Sequence, residues 1–181
     1  MIDGSSLAIF VLASLALLLA PGPAVLYIVA RSIDQGRMAG IVSVLGISLG
    51  GFVHVFAAAI GLSAILVSSA LAFTLVKYLG AAYLIYLGIT TLMTPTKKVE
   101  NTEIIKMSHG RIFRQGMIVN ILNPKTALFF FTFIPQFVDP ARGSVAAQIV
   151  FLGTLFLAMA VVTDGVYAMV AGTLGQWLKA N

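Results

Sequence analysis

Apolar blocks long enough to cross a bilayer follow one another through this chain, separated by little more than turns. A spanning helix needs roughly 20 apolar residues at a rise of ~1.5 Å each. Only 9% of the residues are charged and 60% are hydrophobic, against about 25% charged in an ordinary soluble domain. With a mean hydropathy of +1.04, most side chains have no aqueous surface to occupy, so the expected solvent is lipid. In lipid every backbone polar group needs an internal partner, and helices supply one within each segment. The expected fold is all-α, a polytopic transmembrane helix bundle forming a single domain over residues 1–181.

The apolar runs predict five spans, at 6–30, 40–67, 70–93, 112–137 and 145–172, with the longest polar stretch, 94–111, as a solvated loop. Ser68 and Ser69 leave room only for a tight turn between the second and third. The first run has Asp3 and no Lys or Arg ahead of it and continues past Pro23, so it reads as a span rather than a signal peptide. Arg31, Arg37, Lys97, Lys98, Lys106, Arg111, Arg114 and Lys179 fall on one side of this topology, and Arg142, with Lys77 near the start of the third run, on the other. Basic residues stay cytoplasmic, which puts the N-terminus outside and the C-terminus of the five-span chain inside. The net charge of +5 then reflects topology, and no nucleic-acid partner is expected. The absence of cysteine excludes disulfides and thiolate chemistry. Gly46/Gly50 and Gly36/Gly40 have the spacing that lets membrane helices approach closely.

Two interruptions lie deep in apolar sequence. Pro21-Gly22-Pro23 removes two N–H groups and pushes Ala20 and Gly22 toward extended geometry, enough to unwind about a turn, with Pro23 suited to restart the helix. Asn123-Pro124-Lys125 carries a helix-start signature, an N-cap residue followed by proline, and Asn120 stands three residues earlier, placed to help satisfy freed carbonyls. A single membrane proline is commonly a packing kink. Two breaks, each inside one half of the chain, instead point to a transporter's substrate site, where half-helix N-termini favour anionic groups.

Lys125 falls near the bilayer centre, where a cation costs roughly 2.5–3.5 kcal/mol and cannot easily reach an interface. Its obvious partner is Asp164, the acidic residue deep in the fifth run. Such a carboxylate is paired or protonated, and it could exchange its proton for a cationic group of a substrate. Buried structural pairing is the plainer reading of both. His54 could carry protons, although a core histidine bonded to a backbone carbonyl is the commoner arrangement. One acidic residue and one histidine within the runs are too few for a metal site, and no nucleophile–base pair suggests an enzyme. No cofactor is expected.

These residues also carry a resemblance. Pro-Gly-Pro-Ala at 21–24, Leu-Tyr-Ile-Val-Ala-Arg-Ser at 26–32, Gln-Gly-Arg at 35–37, Phe-Arg-Gln-Gly at 113–116, Leu-Asn-Pro-Lys-Thr-Ala at 122–127, Phe-Ile-Pro-Gln-Phe-Val-Asp-Pro at 133–140 and Asp164-Gly-Val-Tyr-Ala resemble the LysE/RhtB family of amino-acid exporters. The resemblance implies proton-driven export of amino acids or close derivatives. It implies two inverted three-helix halves, with Pro21, Gly22 and Pro23 as one break and Asn123, Pro124 and Lys125 as the other. Against a six-span family, the last helix is expected to be missing here, which leaves open a degenerate relative with a structural role, and a homo-oligomer.

Overall fold

The computed structural model describes residues 3–69 and 107–180, together with positions 71, 72, 74, 75, 78, 79 and 82. Most of the expected span at 70–93 and most of the loop at 94–111, with Lys97, Lys98 and Lys106, lie outside the described residues. Among the described residues the regular structure is all-helical: α1 (Gly4–Leu19), α2 (Pro23–Gln35), α3 (Arg37–Ser68), α4 (His109–Ile121), α5 (Pro124–Leu128) and α6 (Val145–Ala180). Beyond α5 the chain continues through a wide π turn at Phe129–Phe133 and a tight 3-10 turn at Ile134–Phe137, and a second 3-10 turn, Pro140–Arg142, precedes α6.

Arg37–Ile65 within α3, and the whole of α6, are each long and apolar enough to cross a membrane. Two further pairs have the length and composition of a crossing but bend sharply: α1 with α2 by 51°, and α4 with Pro124–Phe137 by 47°. Asp3 caps α1, accepting from the Ser6 N–H at 2.8 Å. That bond above all, then the hydroxyls of Ser5 and Ser6 and the charge of Arg142, hold its carboxyl well below the usual carboxylate range. The Asp3–Arg142 pair, at 3.1 Å, therefore stays ionised in mild acid, and Arg142 also meets Asp139 at 3.0 Å.

Close backbone contact sets the helix arrangement. A Cβ on Gly46 would collide with the Phe113 carbonyl, and one on Gly50 would stand 2.5 Å from the Met117 carbonyl. Both faces belong to the α3–α4 contact, so this glycine pair brings two backbones together. The second pair divides its labour. Gly40 packs in α3 against Ser32 and Ala168, whereas Gly36, at φ 86°, makes the turn between α2 and α3. That turn starts α3 at Arg37, earlier than the expected 40. At the other end α6 runs past 172 to Ala180, because Gly172 and Gly175 seat it on the backbone of Arg37 and Ile33.

The interior beside the bend is aromatic. Phe129 stacks on Phe156 at 3.8 Å and on Phe133 at 4.9 Å, and Phe10 meets Phe137 edge-on at 5.2 Å. The wide turn beginning at Phe129 lets consecutive Phe129 and Phe130 both point inward, each essentially inaccessible. Outward positions are apolar as well, Ile60, Leu12, Val162 and Leu122 among them, as a lipid-facing girdle requires.

Replacing Gly46 by Leu should lower unfolding stability in detergent by about 1–3 kcal/mol through overpacking. Gly165→Ala, whose new Cβ meets nothing within 4 Å, should leave stability unchanged or slightly higher, since alanine favours the helix. Thermal melting of the two purified variants beside the parent chain checks both.

Candidate functional site

The end of α1 is where the chain runs short of donors. A residue four positions on normally gives its N–H to each helical carbonyl. For Leu17 that residue is Pro21, which has none. The Ala20 N–H turns back to the Leu17 carbonyl at 3.3 Å, and the Lys125 ammonium adds a second donor, reaching that oxygen at 2.8 Å and also the carbonyl of Ala20. Ala20 is extended, Gly22 is extended at φ −129° and ψ −174°, and Pro23 opens α2. The Lys125 stem passes close to Gly22, where a Cβ would lie 3.0 Å from Cδ. Lysine at the second break thus reaches into the first.

The second break repeats this economy. Pro124 removes the regular helical donor for the Asn120 carbonyl; the Asn123 N–H reaches that oxygen at 3.0 Å in a tight turn, and His54 Nε2, acting as donor, meets it at 2.9 Å. The ring lies parallel to Phe130 at 6.0 Å. Asn120 is itself a junction: Nδ2 donates to the Ile47 carbonyl at 2.7 Å, and Oδ1 accepts from Thr126 at 2.8 Å. Asn123 Oδ1 accepts the Lys125 N–H at 3.0 Å, capping α5. The start of α2 has no such side-chain cap, so the N–H groups of its first turn remain available.

Between the breaks lies a cavity of about 60 Å³, room for a few waters. Gly22, Asn120, Asn123, Lys125 and Asp164 line it, with Ala24 and Val25 of the uncapped turn, Ser48, Thr126, and an apolar wall including Leu17, Phe129 and Phe156. A mostly apolar cleft with a few convergent polar groups is the usual form of a small-molecule site. Of the expected residues, Pro21, Pro23, Pro124 and His54 stand behind the lining. The prolines shape the breaks, and His54 sits in the arrangement of a satisfied core histidine.

The expected Lys125–Asp164 bond is not formed. Both groups line the cavity and their charges interact across it, but no ion pair joins them within 4.0 Å among the described residues. The lysine is held by two carbonyls at the broken end of α1, and two of its three protons are committed there. Asp164, only 5% exposed, makes no hydrogen bond among the described residues and faces the cavity. Ser48, Phe129 and Phe156 carried no sequence signal as site residues, whereas Thr126 carried one by standing next to Lys125.

Fold and cavity define an α-helical, multi-pass membrane protein with a small pocket, apolar but for a few convergent polar groups, between two broken helices. The sequence matches the LysE type translocator family over residues 15–181, and the chain belongs to that family. It is similar to a homoserine/homoserine lactone efflux protein of Salmonella typhimurium, 32% identical over 94% of this chain and 82% of that one. It is also similar to two uncharacterised membrane proteins: one of Vibrio cholerae, 30% identical over 94% of this chain and 83% of that one, and one of Pseudomonas aeruginosa, 33% identical over 88% and 73%. No solved structure matches it.

Lys125→Met keeps the stem and removes the ammonium. It should destabilise the bundle by about 2 kcal/mol or more, because interior carbonyls lose their donors. Unfolding in mixed micelles, compared with Lys125→Arg, measures this.

Proposed function

We propose that the chain is a secondary transporter that exports amino acids or close derivatives across the bacterial inner membrane. The observation that carries this reading is one cavity faced by one ammonium and one unpartnered carboxylate, the complement of a zwitterion. The substrate carboxylate binds at the open first turn of α2, near Ala24 and Val25, and takes the third proton of Lys125. Its ammonium binds Asp164. Gly22, Asn120 and Asn123 complete the polar lining, and Pro21, Pro23 and Pro124 keep the breaks open. The relatives named for homoserine and homoserine lactone efflux support a small, polar amino compound.

Export is driven by the proton-motive force. When the substrate ammonium leaves, Asp164 takes up a proton in its place, so an uncharged carboxyl rather than a bare carboxylate makes the return step. The chain forms one transporter domain whose two halves, each with a broken helix, rock about the cavity. The end bearing Arg31, Arg37, Arg111, Arg114 and Lys179 faces the cytoplasm, and Asp3 with Arg142 faces outward.

In proteoliposomes loaded with homoserine or threonine, an imposed pH gradient should accelerate efflux. Lys125→Ala, compared with the parent at equal amounts of folded protein in the membrane, should export nothing measurable. Asp164→Asn should lose its response to the gradient. Efflux by Lys125→Ala at the parent rate would remove the cavity from the transport path.

A further inference from the structure

The count of missing donors has a third member, and it lands on a residue with no other mark of function. Pro23 lacks the N–H that would serve the Leu19 carbonyl. The Tyr167 hydroxyl, from α6, donates to that oxygen at 3.0 Å. The three prolines of the two breaks are each answered by a side chain from a different part of the chain: Pro21 by Lys125, Pro124 by His54, and Pro23 by Tyr167.

We propose that Tyr167 is a positioning residue that holds the broken end of α1 against α6 and so couples the acidic face of α6 to the wall of the cavity. Resting on the amino-acid reading of that cavity, the role gives the transporter its mechanical link. Tyr167 stands three residues beyond Asp164, so the two are neighbours on one helical face. Leu17 and Leu18, at the end of α1, form part of the cavity wall. A shift of α6 that follows ligand or proton exchange at Asp164 is passed through the Tyr167 hydroxyl to Leu19, and from there to Leu17 and Leu18. The tyrosine does not touch the cavity. It acts by fixing where α1 stops.

The chain contains no cysteine, so a Leu18→Cys variant reports on this wall alone through its rate of modification by a methanethiosulfonate reagent. Adding Tyr167→Phe should change that rate about tenfold, the weight of one hydrogen bond in an equilibrium. On the otherwise native chain, Tyr167→Phe should lower the maximal export rate about tenfold and leave KM within about twofold. In a Pro23→Ala background, where a backbone donor is restored, the same substitution should alter labelling by less than about twofold, a coupling that independent sites do not show. Unchanged labelling at position 18, or equal effects with and without Pro23→Ala, overturns the assignment whatever export does. A labelling response together with no export of any amino acid by the parent chain supports the positioning role and defeats the proposed function instead. If Tyr167→Phe fails to accumulate, Tyr167→His decides: its ring N–H should restore labelling near the parent rate, and a rate far from it overturns the assignment.

Discussion

A proline inside a membrane helix creates a debt at a fixed address, the carbonyl four residues earlier. In water that oxygen would turn to solvent. In hydrocarbon it has none, and an unpaired backbone group there costs several kcal/mol. Much of the site follows from meeting this condition three times over a short distance. Lys125, His54 and Tyr167 come from α5, α3 and α6, and each delivers a side-chain donor to an oxygen whose regular helical donor is a proline, two of those oxygens also accepting a tight-turn N–H from Ala20 or Asn123. Elements far apart in sequence are thereby fastened to the breaks, and the breaks to one another.

This requirement also explains why the lysine is charged without an ion-pair partner. An ammonium can serve two carbonyls at once, where a neutral hydroxyl would serve one. Its ammonium stands beside the cavity, and Asp164 faces it with no hydrogen bond of its own among the described residues. A direct lysine–aspartate bond would have neutralised the pocket and given a ligand little to displace. Separation of the two groups keeps opposite charges on opposite walls, which is what distinguishes a receptive site from a structural ion pair.

The legible parts of the molecule were those governed by local chemistry. Proline lacks its N–H in any context, so the bends after Leu19 and Ile121 could be read from the residues alone, as could the all-helical class from the scarcity of charge. Helix ends were less legible because packing sets them: α6 runs past 172 on glycine contacts with α2, and α3 begins early because Gly36 can adopt positive φ. Charge drew attention to Lys125 and Asp164 but gave the wrong bond between them, since unpaired carbonyls do not show in a list of side chains. Thr126, Phe129, Phe156 and Tyr167 reach their places only through the tertiary arrangement, and a tyrosine in an apolar run looks like an interfacial anchor until its acceptor is known.

Glycine and proline therefore act in series. Glycines on α3 bring its backbone against α4, and those on α6 bring α6 against α2 and the start of α3, closely enough for side chains of ordinary length to reach foreign backbones. Prolines then provide backbones that need to be reached. Either device alone gives a less useful object: close packing of unbroken helices leaves no polar cavity, and broken helices held at a distance leave carbonyls in lipid. Together they place exchangeable hydrogen bonds, rather than covalent or fully packed structure, around the cavity. A bond between a side chain and a carbonyl can be surrendered to water or to a ligand and remade.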